Sequence, residues 1–219
     1  MIEAFDSLWD QTRPAFKQER PWRRARTLAL GALVALGRHT VSGMRNATGQ
    51  QCADWSAAYR VFAHERFDTG ALLAPARRDV LGRLGGNQPL VVMLDDTLLR
   101  KRGRKIAGTG WRRDPLGPPF CNNFIWAQRF VQVAAALPEG PGPSRARAIP
   151  IDLLHCPSPR KPRRNAPEAQ WEQYRRDARA SRISLRGAER VVALRSALDA
   201  DGQGGRFWWY RPTAASLTR

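Results

Sequence analysis

The strongest constraint on the fold is an apolar run from Leu90 to Leu94 that passes directly into Asp95, Asp96 and Thr97. Residues 85–89, which are rich in glycine and end in proline, break the chain before it. A run of this length and composition predicts a strand that is buried on both faces and ends at Leu94. A carboxylate at the end of such a strand is costly unless it is solvated, paired or bound to a metal. Spacing leaves two interpretations open, a solvated acid or a metal ligand.

The charge of the chain favours a polyanionic partner. Lys and Arg number 37 against 19 Asp and Glu, a net charge of +18, and 24 of the basic residues lie in 90–219. An excess of this size binds phosphates by neutralising them and releasing counterions, so nucleic acid is the expected partner. Of the cations 33 are arginine, which a GC-rich coding sequence explains as well as selection for phosphate binding.

Composition also limits the class of protein. A hydrophobic content of 42% over 219 residues predicts a globular chain with one good core or two small ones. The N-terminus is acidic and lacks an apolar run, which does not fit a secretory signal. The longest apolar stretch, residues 28–37, is too short to span a membrane, so we expect a cytoplasmic protein. The cysteines and histidines lack metal, disulfide or catalytic spacing and are expected to be structural. They are Cys52, Cys121, Cys156, His39, His64 and His155.

Residues 1–88 are predicted to be helical. The predicted helices cover 26–37, 54–64 and 72–84, and Thr40 or Ser42 caps a further short helix. The helix over 54–64 places Trp55, Tyr59 and Phe62 on one face. Short helices with a tight turn resemble a helix-turn-helix, although other packed helix pairs share this pattern.

From residue 90 the pattern is that of strands, followed by helices. Two further strands, over 124–137 and 148–154, are bounded by proline and glycine turns. A helix carrying Trp171 and Tyr174 is predicted after a capping box that begins at Asn165. The remaining predicted elements are a helix over 184–198 and a fourth strand that opens at Phe207.

Three strands in meander, a helical crossover and a fourth strand form the first half of a ribonuclease-H-like fold. The expected fold class is therefore α+β: a helical region at 1–88, followed at 89–209 by an incomplete mixed sheet with crossover helices. Residues 210–219 lose the apolar pattern abruptly after Trp209. We expect this tail to be disordered, and back-translation in a shifted frame suggests that it is frameshifted.

Several runs carry a resemblance to a known family. They are the strand and acids at 91–101, the basic glycine-bearing segment at 103–106, the run at 111–118, and the helical segments 38–43 and 54–60. Together they resemble the DDE-type transposases of insertion sequences, and the Asp-Asp-Thr strand with its basic sequel is the most specific part of the resemblance.

The resemblance implies a DNA strand transferase in which acids from separate segments hold two Mg²⁺ ions for in-line phosphoryl transfer. Asp95 would be the first catalytic and metal-binding acid, because it directly follows the apolar run. Asp96 would point to the opposite face and make a supporting or turn contact, and Thr97 could orient the carboxylate. Cations after the strand would hold backbone phosphates without reading sequence. They are Arg100, Lys101, Arg102, Arg104, Lys105, Arg112 and Arg113.

The later acids of that family have no match, since Asp152, Asp199 and Asp201 are expected to be strand-edge or loop acids. We therefore expect a truncated transposase that binds DNA at insertion-sequence terminal repeats, associates with the nucleoid and can form a homo-oligomer. We expect it to bind Mg²⁺ weakly or not at all and to leave DNA uncut. The alternatives are a stand-alone basic DNA-binding protein or repressor and an RNA-binding accessory protein. An exposed Asp95 favours the nuclease, and a buried, capped Asp95 favours the binding module.

Overall fold

The computed structural model describes residues 2–63, 66–85, 88–118, 120, 123–140 and 144–203, together with the backbone of 208–212. Two compact units divide the chain, residues 1–76 and residues 77–219. His64, Cys121, Phe207 and the tail residues 213–219 lie outside the described residues. Within the described ranges, no helix has the length and apolar content that crossing a membrane requires.

The first unit is built from short helices, as its sequence predicts. They are α1 (Ile2–Asp10), a 3-10 turn (Arg13–Ala15), α2 (Glu19–Val34), α3 (Val41–Ala47), α4 (Trp55–Ala63) and α5 (Thr69–Arg83), which contains the boundary between the units. Thr40 caps α3, because its Oγ1 accepts a hydrogen bond from the backbone N of Gly43 at 3.1 Å. The close crossing of α2 and α3 requires Gly31, where a Cβ would lie 2.4 Å from the carbonyl oxygen of Met44.

The small core of the first unit is formed by Leu28 of α2 with Ala58 and Val61 of α4. Tyr59 and Phe62 are exposed, so the aromatic face predicted for α4 is not its packing face. The packing face of α4 carries Ala58 and Val61 instead, whose small side chains let α4 approach α2 closely. Sequence-specific DNA reading by these helices stays a prediction.

The second unit contains a five-stranded mixed sheet. Its elements are β1 (Leu90–Arg100), β2 (Gly110–Arg113), β3 (Phe124–Pro138), β4 (Ala146–His155), α6 (Glu168–Ala180), α7 (Ile183–Ala200) and β5 (Trp208–Pro212). β3 pairs antiparallel with β1 along one edge and with β2 and β4 along the other. β5 pairs with β1 in parallel. The antiparallel meander and the parallel return through two helices confirm the predicted fold class.

Three local features differ from the sequence prediction. β1 does not end at Leu94 but continues to Arg100, because residues 95–100 keep pairing with β3. Asp95 therefore lies within a strand rather than at its end. β2, which pairs with the first residues of β3, has no predicted counterpart. The capping box predicted at Asn165 is wrong, since Pro167 is the N-cap of α6 and makes no side-chain cap.

The core of the second unit lies on one face of the sheet. Val92 and Leu94 of β1 point into it, and Leu194 of α7 belongs to the same buried cluster. α7 approaches β1 so closely that a Cβ on Gly187 would lie 2.5 Å from Cδ2 of Leu94. Because side chains alternate along a strand, Asp95 points to the opposite side of the sheet. We name the two sides the α7 face and the Asp95 face.

Candidate active site and nucleic-acid interface

The Asp95 side chain is exposed on its face of the sheet. The residue pairs with Gln132 of β3, and its Oδ1 accepts a hydrogen bond from the backbone N of Asp96 at 2.9 Å. Thr97 lies two residues further along the same face, opposite Phe130. The strand therefore holds one carboxylate open to solvent, where a cation or a phosphate-bound metal can reach it.

Asp96 lies on the α7 face and is paired with an arginine. The Nε of Arg129 donates to Oδ1 and Oδ2 of Asp96 at 2.9 and 3.0 Å, and its Nη2 also donates to Oδ2. Both side chains are half-buried. A carboxylate engaged in this way by a guanidinium keeps little capacity for a metal ion. The two neighbouring acids thus differ in both direction and partner.

The predicted DNA-binding cations are divided between the faces and the loop after β1. Arg102, Arg104 and Lys105 belong to the loop at 101–109 and are exposed. Lys101 is half-buried, and Arg113 is exposed at the end of β2. The strand period places Arg113 on the Asp95 face, because it pairs with Phe124 of β3. Four of these five cations are therefore exposed, and Lys101 is the half-buried one.

Arg100 and Arg112 lie on the α7 face and have protein partners. Arg100 Nη2 donates to Oδ2 of Asp114 at 2.6 Å, and Arg112 Nη1 donates to Oγ of Ser158 at 2.5 Å. Burial lowers the pKa of Arg112, the nearby charge of Arg129 lowers it further, and Asp96 opposes both effects. Each guanidinium therefore has one hydrogen-bond donor engaged by the protein rather than available to a phosphate.

Side chains of β3 hold the loop at 101–109 in place. Trp126 Nε1 donates to the carbonyl oxygen of Gly103 at 3.1 Å, and Gln128 Nε2 donates to that of Ala107 at 2.8 Å. Gly108 has a φ of 72° and lies against the ring of His155, where a Cβ would be 2.2 Å from the nearest ring atom. The loop therefore presents its cations from an anchored backbone.

The three other acids considered as catalytic candidates, Asp152, Asp199 and Asp201, each pair with an arginine. Asp152 is buried on the α7 face and accepts from Nε and Nη2 of Arg190 at 2.5 and 2.7 Å. Asp199 pairs with Arg195 within α7, and Asp201 pairs with Arg77 of α5 at 2.9 Å. The interpretation of these acids as non-catalytic agrees with their partners.

The described residues supply an incomplete donor set for metal. Nowhere in the described ranges do three His, Cys, Asp or Glu side chains come together as a possible metal site. β5 pairs up to Pro212, opposite Leu94, and residues 213–219 contain no Asp or Glu in the sequence. Mg²⁺ prefers oxygen ligands and demands a nearly octahedral set of them. Asp95 can provide one such ligand, so these donors do not fit a two-metal site.

Two thiols and one imidazole among the described residues have environments that the structure defines. Cys52 is exposed and Cys156 is buried, and neither forms a disulfide. The ring of His155 lies 4.9 Å from that of Phe130. Burial lowers the pKa of His155, and the charge of Arg112 lowers it further. This histidine is a packed structural residue that the local environment keeps neutral.

Sequence reasoning missed Asp114 and Arg129, the partners of two predicted site residues. The available signal was Arg129, the only charged residue of the strand, since a half-buried cation requires a partner. For Asp114 the signal was the Asp-Pro turn, in which its Oδ1 accepts from the backbone N of Leu116 at 3.1 Å.

A family model described as DDE superfamily endonuclease matches residues 13–140, more than half of the chain. The chain belongs to this family. The match runs from the 3-10 turn to just beyond β3 and includes Asp95 and all seven predicted DNA-binding cations. No match was found among curated proteins or among solved structures.

Membership makes the chain a relative of enzymes that act on DNA and generally use divalent metal ions. β4, α6, α7 and β5 lie outside the matched range. The ion pair of Asp152 with Arg190 is therefore a feature of this chain's structure and not of the family match.

Proposed function

We propose that this member of the DDE superfamily binds DNA through the phosphate backbone, with Asp95 at the position of the first metal-binding acid of the family's phosphoryl-transfer site. The observation that supports the proposal best is the exposed Asp95 carboxylate, held by a strand that leads directly into a loop of exposed cations. An exposed acid beside phosphates repels them and so weakens the binding of a module that only holds the DNA backbone.

The phosphate contacts would come from the accessible cations, Lys101, Arg102, Arg104, Lys105 and Arg113. Arg100 and Arg112 would contribute less to phosphate binding, because each already donates a hydrogen bond to a protein partner. Contacts of this type neutralise phosphates and release counterions, so the proposed binding depends strongly on salt and weakly on base sequence. Within the cell the proposed DNA is an insertion-sequence terminal repeat, with the protein at the nucleoid and able to form a homo-oligomer.

Bound Mg²⁺ would stabilise charge on the reacting phosphate oxygens. Asp95 would contribute one oxygen ligand, and we propose that Thr97 orients it from the same face. Asp96 is bonded to Arg129 and would support the strand instead. Because the described donors amount to a single acid, we propose that the 219-residue chain holds Mg²⁺ weakly and binds DNA without cleaving it.

The test combines a binding and a cleavage measurement on the purified chain. Fluorescence anisotropy with a labelled duplex should show binding that weakens with salt, and supercoiled plasmid should stay intact in Mg²⁺. Nicking that disappears in Asp95→Asn would overturn the proposed inactivity while supporting the role of Asp95. Absence of duplex binding even at low salt would overturn the DNA proposal itself.

A further inference from the structure

An aromatic surface lies on the Asp95 face at the end of the sheet where β1 leads into the basic loop. Trp111 of β2 pairs with Trp126 of β3. Phe124 precedes Trp126 by two residues and therefore lies on the same face of the sheet. Trp111 is 64% exposed and Phe124 is 57% exposed. We name these three residues the tryptophan platform.

Cross-strand packing explains only part of this arrangement. The two indole rings contact edge to face, with centroids 5.6 Å apart and planes at 69°, which stabilises the β2–β3 pair. That contact uses the edge of one ring and leaves much of Trp111 in water. The hydrogen bond from Trp126 Nε1 to Gly103 fixes the second ring. The platform therefore presents aromatic surface in a fixed orientation, at a cost in exposed apolar area.

Cations flank the platform on both sides. Lys101 follows β1, and its backbone N donates to the carbonyl oxygen of Trp126 at 2.8 Å. Arg113 pairs with Phe124 across β2 and β3 and is exposed. Lys101, Trp126 and Trp111 thus occupy adjacent positions across three neighbouring segments. An aromatic face between cations matches the chemistry of one nucleotide, whose base stacks and whose phosphates carry charge.

We propose that the tryptophan platform stacks an unpaired DNA base while Lys101 and Arg113 hold the phosphates on either side of it. A paired base within a duplex is covered by its neighbours, so the partner is a single strand, an overhang or an opened end. This inference rests on the proposed DNA binding and extends it to the form of the DNA. Asp95 lies on the same face and pairs with Gln132, which is six residues along β3 from Trp126, about 20 Å away at the rise of a strand. The platform therefore holds a nucleotide well separated from the phosphate at Asp95.

The experiment compares three labelled DNAs by anisotropy at fixed salt: a blunt duplex, the same duplex with a single-stranded overhang, and the single strand. Trp111→Ala should lower affinity for the overhang and the single strand by about 5- to 150-fold, the range for losing one stacked base. It should leave affinity for the blunt duplex within about twofold. Trp111→Phe should restore most of the loss, since it keeps an aromatic face. Tyr59→Ala removes an exposed ring from the first unit and serves as the matched control, expected to change none of the three affinities selectively.

The possible results separate this inference from the proposal on which it rests. A parent chain that binds none of the DNAs contradicts DNA binding as a whole. Duplex binding without any gain from unpaired bases, or an equal loss on all three DNAs in Trp111→Ala, contradicts stacking and leaves duplex binding intact. Polyglutamate is the probe for an acidic protein partner. If it displaces the single strand from the parent as well as unlabelled single strand does, and Trp111→Ala weakens its competition equally, the platform is a general polyanion surface and the inference is wrong.

Discussion

The two faces of the sheet differ in the environment of their charged side chains. On the α7 face, Asp96 and Asp152 each lie against an arginine, Arg129 and Arg190, and the ion pairs join neighbouring elements. On the Asp95 face the carboxylate is exposed, and aromatic rings and cations share the surface with it. The first arrangement stabilises the fold, and the second leaves chemical groups accessible to a partner. Adjacent residues in one strand can therefore have unrelated roles.

The largest effect should come from breaking the buried pair on the α7 face. Arg190→Ala leaves the Asp152 side chain, which is 8% exposed, without its guanidinium. Removing one partner of a buried pair costs about 3–5 kcal/mol because an uncompensated charge remains. Urea denaturation measures the change, and Arg186→Ala, which breaks an exposed pair with Glu189, should cost less than about 1 kcal/mol. Equal losses in the two variants would show that the buried Asp152–Arg190 pair stabilises the fold no more than an exposed pair does.

A large effect on binding should follow from neutralising the loop. Alanine at Lys101, Arg102, Arg104 and Lys105 together should reduce duplex affinity by about tenfold or more at low salt and flatten the slope of log affinity against log salt by up to about 0.9 per lost phosphate contact. The free energy of unfolding should change little, since three of these side chains are exposed. The matched control removes the same charge after β4, at Arg160, Lys161, Arg163 and Arg164. A parent-like slope in the loop variant, or a larger change in the control, would place the DNA elsewhere.

The third comparison contrasts the two adjacent acids. Asp96→Asn weakens the charged hydrogen bonds from Arg129 and should lower the free energy of unfolding by about 1–2 kcal/mol. Asp95→Asn changes an exposed side chain and should stay within about 0.5 kcal/mol. Thermal and urea unfolding of both variants decide the matter. The contrast between the faces fails if Asp95→Asn is the more damaging change.

The smallest expected effect is that of Asp95→Asn on DNA affinity. Removing a negative charge near the bound phosphates should leave duplex affinity unchanged or raise it slightly. Anisotropy in EDTA isolates this electrostatic effect from any contribution of metal. A marked loss of affinity in EDTA would mean that Asp95 contacts DNA as a hydrogen-bond acceptor, which contradicts its proposed role as a metal ligand.

The sequence predicted the elements whose signals are local. The apolar runs at 124–137 and 148–154 and the helices around Trp171 and at 184–198 lie close to the observed bounds, because turn residues frame each of them. For the run at 90–94 only the start of the strand was predicted correctly. The alternation of Asp95 and Asp96 between faces also followed from the two-residue period of a strand.

What the sequence could not supply depends on partners far along the chain. The extension of β1 beyond Leu94 follows from its pairing with β3, whose partner residues lie 27 to 37 positions further along the chain. Arg129 and Asp96 are 33 residues apart, and Arg190 and Asp152 are 38 apart. No local pattern matches such pairs. The exposure of Trp111 could not be predicted for the same reason, because it depends on the pairing of β2 with β3.

The continuation of β1 through Asp95 has an entropic consequence. A residue in a loop must lose backbone freedom when it engages a ligand, at a cost of about 1–2 kcal/mol. Asp95 has already lost that freedom on folding, because its backbone is paired with Gln132 and its Oδ1 accepts a hydrogen bond from the backbone N of Asp96. An arriving cation therefore meets an oxygen donor that is positioned before binding. Folding has oriented the group in advance of any partner.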